Sequence, residues 1–121
     1  MKKIWILCLI LLLSTCKDAN KFPDPLEAGW KGEKVCEILH EDESLRVIKC
    51  TFPPSVGHER HYHKPHFGYT LSGSMFQITD TTGTTIVDVP TGYNFSNKRV
   101  DWHEALNVGD STAVFLIIEP K

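Results

Sequence analysis

The 121-residue chain has no excess of basic residues, the feature that most nucleic-acid-binding domains show. It carries 13 Lys and Arg against 15 Asp and Glu, a formal net charge of −2, and no basic patch stands out. Nucleic acid is therefore not expected as a partner. The chain also has no internal repeat and no low-complexity segment. Its length suffices for the core of one domain.

Long apolar runs are absent apart from one at the N-terminus, residues 4–13. Ten residues are too few to span a bilayer. Two lysines precede the run and small polar residues follow it, which is the layout of a secretory signal peptide. We therefore predict that residues 1–15 are removed and that the protein is exported to the cell envelope or periplasm.

The end of this segment, Leu-Ser-Thr-Cys at positions 13–16, resembles a bacterial lipoprotein processing site. Thr15 stands where Gly, Ala or Ser is usual. The resemblance implies that Cys16 becomes the lipid-bearing first residue of the mature chain. A lipid on Cys16 is the only contact with a membrane that the sequence predicts.

Cysteine is scarce, and no cysteine or serine lies in a recognisable nucleophile motif. After Cys8 and Cys16 are set aside with the N-terminal segment, only Cys36 and Cys50 remain. In an oxidising envelope this pair favours a disulfide that closes a hairpin-sized loop. The alternative is two buried thiols on adjacent strands.

No helical period persists for ten residues anywhere in the chain. Residues 16–33, rich in Lys, Pro, Gly and Asp, are predicted to be a tether, and residues 34–121 the folded domain. There, short β-rich runs alternate with turn residues, which predicts an all-β fold, a single jelly-roll or small barrel. The predicted strands cover residues 35–39, 45–52, 58–63, 67–78, 85–89, 93–95, 101–106 and 112–118.

Four histidines have spacings that would let one metal ion collect them. His61 and His63 point to the same face of a strand, His66 follows a Lys-Pro pair, and His103 arrives from a distant strand. Neutral imidazoles suit iron, zinc, nickel or copper better than magnesium or calcium. A hydrogen-bonded or solvent-facing role is the alternative for any single histidine.

The two segments around these histidines resemble the two motifs of the cupins, a family of small jelly-roll barrels. The residues that match the motif spacing are His61, His63, Gly73, Gly92, His103 and Asn107. The positions that carry another residue type than the motifs are Ser55, His66, Lys98 and Val100. His66 stands near the place of a glutamate, in a loop that is one residue shorter.

The resemblance implies that one divalent transition metal, of open identity among Fe, Zn, Ni and Cu, is held inside the barrel by His61, His63, His66 and His103. It also implies a small-molecule ligand or substrate, and a homodimer formed through an outer sheet.

Three functions remain open for such a site. One is an oxygenase that binds an organic substrate and dioxygen at the metal. Another is an isomerase or lyase in which Glu59 or Glu104 moves a proton. The last is a non-catalytic envelope protein that binds a metal or small ligand.

Gly68 and Thr70 should share the face of His66, and such small residues leave room for an open coordination position. Glu59, Glu104 and Asn107 are also the candidates to anchor the histidine rings.

Overall fold

A computed structural model describes residues 21–121, and all regular secondary structure within that range is β-strand. The signal peptide predicted for residues 1–15 and the lipid site predicted at Cys16 lie outside the described residues. The strands are β1 Gly29–Trp30, β2 Glu33–Lys34, β3 Cys36–Glu41, β4 Leu45–Phe52, β5 Gly57–His63, β6 His66–Ser72, β7 Ser74–Asp80, β8 Gly83–Val89, β9 Asn94–Asn97, β10 Val100–Asn107 and β11 Ala113–Pro120.

Two antiparallel sheets form the barrel. One has the order β5-β10-β7-β8 and the other β3-β4-β11-β6-β9, while β1 and β2 make a separate ribbon. Apolar side chains from both sheets meet between them, which is the packing that a jelly roll requires. The predicted all-β jelly-roll fold is confirmed. The buried apolar cluster consists of Cys36, Ile48, Cys50, Phe52, Phe76, Ala113 and Ile117.

Strand β6 shows why these sequences form half-buried strands. His66, Gly68 and Thr70 are buried, whereas the alternate large residues on the strand are exposed. A Cβ atom on Gly68 would overlap the ring of Phe95, so only glycine lets this ring lie against the strand. The small inner face predicted beside His66 is confirmed.

The single strand predicted for residues 67–78 is wrong, because the structure divides it into β6 and β7. These two strands belong to different sheets and are separated by Gly73. A Cβ atom on Gly73 would overlap the carbonyl oxygen of Val89. Glycine therefore allows the close backbone approach at which the chain passes from one sheet to the other.

The predicted disulfide between Cys36 and Cys50 is confirmed. These residues are direct partners across β3 and β4, and their Cα atoms are 4.1 Å apart. The bond closes the hairpin formed by these two strands and faces the buried core.

Residues 22–30 pack against the barrel, although they fall within the predicted tether. The Pro23 carbonyl accepts a hydrogen bond from the Tyr62 backbone N–H at 3.1 Å. Arg46 forms ion pairs with Asp24 at 3.1 Å and with the buried Glu119 at 2.6 Å. Packed residues thus begin before the predicted domain boundary at residue 34. Within residues 21–121, no helix is long and apolar enough to cross a membrane.

Candidate metal centre

The central pair of the site, His61 on β5 and His103 on β10, is flanked by two β-bulges. Towards one side the next pair is Ala105 with His58, so β5 carries an extra residue there. Towards the other side pairing resumes at Val100, and the extra residue lies in β10. Bulges redirect side chains, and here they leave both rings of the pair pointing into the barrel.

The Nε2 atoms of three histidines converge at this point. His61 and His63 are 3.0 Å apart, His63 and His103 are 3.0 Å apart, and His61 and His103 are 2.9 Å apart, all measured between Nε2 atoms. Nitrogens at these separations can all lie about 2.0–2.1 Å from one ion, the usual length of a zinc–imidazole bond. This triad of His61, His63 and His103 is the candidate metal centre.

Hydrogen bonds cannot account for all three contacts at once, because each needs one N–H and one lone pair, and three mutually close Nε2 atoms cannot provide this for every pair. A neutral imidazole has one N–H, and that of His61 is on Nδ1, which donates to the Glu59 carbonyl at 2.7 Å. The Nε2 atom of His61 therefore presents a lone pair to two neighbouring nitrogens. A shared cation accepts all three lone pairs, so the residues fit a bound metal.

Burial keeps the rings in the form that a metal binds. Desolvation and, to a smaller extent, the charges of neighbouring histidines lower the pKa of His61 to about 3 and that of His103 to about 3. The pKa of His63 is lowered in the same direction and for the same reason. All three imidazoles are therefore neutral at pH 7, as metal ligands must be.

His66 lies beside the triad but outside the group of ligand atoms that are all within 4.8 Å of one another. Its ring centroid is 4.5 Å from that of His63, and its Nδ1 donates to the Lys64 carbonyl at 2.7 Å. The Nε2 atom of His66 thus presents a lone pair, as that of His61 does. Its role as a fourth ligand stays a prediction.

His58 is a site residue that sequence reasoning missed. It is buried and stacks on His61 with ring centroids 3.7 Å apart and planes 28° apart. Its Nε2 donates to the Pro25 carbonyl at 3.0 Å, and burial lowers its pKa to about 4. In a regular strand, residues three apart face opposite sides, so only the bulge in β5 brings His58 to the same face as His61.

Glu59 and Glu104, predicted to move protons at the metal, do not line the cavity. The Glu59 carboxylate accepts a hydrogen bond from the Lys31 backbone N–H at 3.2 Å, and the Glu104 carboxylate pairs with Arg60 at 3.3 Å. The bulge in β5 turns Glu59 to the outer face, and strand alternation turns Glu104 away from the side of His103. The structure thereby corrects the position expected for both carboxylates.

Asn107 does not anchor a histidine ring either. It forms hydrogen bonds to neighbouring loops at the C-terminal end of β10. It is fully buried, and its Nδ2 donates to the carbonyls of Phe52 and Ser111, at 2.8 Å each. Its Oδ1 accepts hydrogen bonds from the Ser74 hydroxyl at 2.8 Å and from the Gly109 N–H at 3.0 Å. Every polar atom of the side chain is satisfied, so the residue is structural.

A cavity of about 290 Å³ opens in front of the triad and extends between the two sheets. His58 and His66 contribute to its wall together with the triad. Val87, Tyr93 and Asn97 line it and are also exposed, so they lie at its mouth. The apolar side chains deeper in the cavity include Phe52, Phe76, Ile78, Phe95, Phe115 and Ile117.

No protein-family model and no curated protein matches the sequence. Solved structures do match the fold. A cupin domain of Bordetella pertussis Tohama I aligns over 83% of this chain and 96% of its own, with 19% identity and a TM-score of 0.67. The polyketide cyclase RemF of Streptomyces resistomycificus aligns over 70% of this chain and 63% of its own, with 20% identity and a TM-score of 0.58.

A predicted oxalate decarboxylase of Thermotoga maritima aligns over 71% of this chain and 79% of its own, with 16% identity and a TM-score of 0.54. At these identities the likeness concerns the fold. Together with the two antiparallel sheets, these matches show that the described chain has the cupin fold.

Proposed function

We propose that the protein binds one divalent transition metal and uses it to bind and transform a small organic molecule. The observation that carries this proposal is the convergence of three neutral Nε2 atoms on the wall of a cavity of about 290 Å³. His61, His63 and His103 would hold the ion, with His66 as the candidate fourth ligand. A bound metal would supply a Lewis-acidic position at which an oxygen atom of the ligand is polarised.

The lining of the cavity favours one reaction type over another. Among the described residues that line it, none is Asp or Glu. The cavity therefore lacks the carboxylate base that the isomerase or lyase hypothesis requires. Oxygenase chemistry at a histidine-ligated metal does not require such a base. We therefore propose an oxygenase-type reaction, with iron as the metal to be tested first.

A second candidate function is non-catalytic capture of a metal or small ligand. The same lack of an acidic side chain in the cavity supports it, because a binding protein needs no acid or base. The two functions differ in turnover. Consumption of oxygen by the iron-loaded protein in the presence of a phenol or diketone supports the oxygenase, whereas tight retention of metal without turnover supports capture.

Elemental analysis of the protein purified from its own cells is the first test. About one equivalent of a transition metal is expected, and His103→Ala should lose most of it. His40→Ala is the matched control, because His40 is exposed and pairs with Asp42 on the surface. Metal content that is unchanged in His103→Ala would overturn the proposed centre.

We also propose that the protein is exported, carries a lipid on Cys16 and forms a homodimer. The first two rest on the N-terminal sequence, and the mass of the mature N-terminal peptide tests both. The homodimer is supported by the outer face of β6, where Phe67, Tyr69 and Leu71 are exposed side by side. Sedimentation of the wild type and of Leu71→Lys tests it, with dissociation expected for the variant.

A further inference from the structure

We infer that the ligand of this cavity is an uncharged, largely apolar molecule that carries an oxygen donor for the metal. This inference rests on the proposed function and names the class of molecule that the same site would take. It is drawn from the chemistry of the cavity wall, its size and its mouth.

The wall lacks the side chains that most often pair with a charged ligand. Among residues 21–121, those that line the cavity include no Lys, Arg, Asp or Glu. Taking a carboxylate or phosphate out of water without a counter-charge is strongly unfavourable. The metal can compensate one anionic donor atom, but a second anionic group would find no Lys or Arg side chain in the cavity wall. Sugar acids, amino acids and phosphate esters are therefore poor candidates.

Three phenylalanines make the deep part of the cavity rigid and apolar. The ring centroids of Phe52 and Phe76 are 5.8 Å apart, those of Phe76 and Phe115 are 5.5 Å apart, and those of Phe52 and Phe115 are 6.0 Å apart. Such a cluster favours contact with another ring or an alkyl group. The part of the ligand that points away from the metal is therefore apolar.

The size of the cavity limits the ligand further. Its volume of about 290 Å³ is at the small end of ligand pockets. This corresponds to about ten water molecules and hence to a ligand of about ten non-hydrogen atoms. At the mouth, Tyr93 and Asn97 offer neutral hydrogen-bonding groups and Val87 an apolar surface. Phenols, catechols and hydroxyketones of one ring meet all of these conditions.

Calorimetric titration of the zinc-loaded protein with catechol and with 3,4-dihydroxybenzoate tests the inference at pH 7. The two probes share the same pair of oxygen donors, but only the second carries an additional carboxylate. Catechol should bind at least about tenfold more tightly, because the carboxylate would enter an apolar wall. Equal or tighter binding of 3,4-dihydroxybenzoate would overturn the inference, as would failure of both probes to bind.

A pair of variants on β8 sharpens the test. Val87→Lys places a cation at the mouth of the cavity, where the side chain of Val87 is already 37% exposed. It should shift the preference several-fold towards 3,4-dihydroxybenzoate. Ile86→Lys adds the same charge on the opposite face of the strand, where Ile86 is 58% exposed, and should leave the ratio unchanged. Equal shifts in both variants would contradict the role of the cavity wall.

Failure of this inference is distinguishable from failure of the proposed function. If the protein binds zinc but takes neither probe, the ligand class is wrong and the metal centre stands. If it binds neither zinc nor iron, nickel or copper, the proposed function fails, and phenol and benzoate then serve as the probes for the metal-free protein. Preferential binding of phenol would still support the uncharged class, and preferential binding of benzoate would overturn it.

Discussion

The metal-free protein is expected to lose stability steeply as the pH falls below 6.5. Burial lowers the pKa of His58 to about 4 and those of His61 and His103 to about 3, from the usual value of 6.5, and it lowers the pKa of His63 as well. Between these values the unfolded chain binds protons that the folded chain does not. The free energy of unfolding therefore has its full value above pH 6.5 and decreases as the pH falls below 6.5.

The magnitude follows from the number of buried rings. Each histidine that stays neutral in the folded state reduces the free energy of unfolding by about 1 kcal/mol between pH 6.5 and 5.5. Four such residues, His58, His61, His63 and His103, remove about 4 kcal/mol. Small domains have total stabilities of about 5–15 kcal/mol, so a metal-free barrel should approach unfolding near pH 5.

Urea unfolding followed by tryptophan fluorescence, with a chelator present, measures this dependence at pH 7.5, 6.5 and 5.5. His103→Gln should reduce the loss between pH 6.5 and 5.5 by about one quarter, because one of the four rings with a lowered pKa is gone. Equal stability of the wild type at pH 7.5 and 5.5 would refute the reasoning. Zinc should raise the stability at pH 7.5, and this gain should disappear in acid as protons compete for the ligands.

Three further variants, one of them with two substitutions, test other parts of the structure. Removing the disulfide by Cys36→Ala and Cys50→Ala should lower the free energy of unfolding by about 3 kcal/mol, because the bond closes a loop of about 15 residues; an unchanged urea midpoint would contradict this. His58→Phe keeps a ring against His61 but loses the hydrogen bond to the N-terminal segment, so zinc affinity in a competitive titration should fall, and wild-type affinity would show that this contact does not position the ligand. Asn107→Ala leaves several buried polar groups unpaired and should cost at least about 2 kcal/mol in urea unfolding, with zinc stoichiometry unchanged in the protein that remains folded.

Regular alternation was the part of the fold that could be predicted from the sequence. The predicted strand at residues 45–52 has the same bounds as β4, Leu45–Phe52, and the inner face of β6 was predicted residue by residue. Burial alternates with a period of two along residues 47–52 of β4 and along residues 66–71 of β6. The break at Gly73 was missed, because a glycine inside an apolar run does not reveal which sheet the next residues will join.

The candidate site could be predicted only as far as motif spacing reaches. The spacing brought His61, His63 and His103 together as expected. It could not place Glu59 or His58, since the bulge between His58 and His61 contains no glycine or proline that would mark it in the sequence. A β-bulge depends on how a strand pairs with its neighbour. The neighbour of β5 at the site is β10, which lies some forty residues further along the chain.

The two bulges beside the metal centre compensate each other. Leu106 pairs with Gly57, and Val100 with His63, in one common register, from which the His61–His103 pair between them is displaced by one residue. The register is thus shifted by one residue only at the site, between a bulge in β5 and a compensating bulge in β10. Deletion of a residue from only one of the two strands would leave one bulge uncompensated. The pairing of β5 with β10 would then stay shifted by one residue from that bulge to the end of the sheet. The two strands can therefore change length here only together.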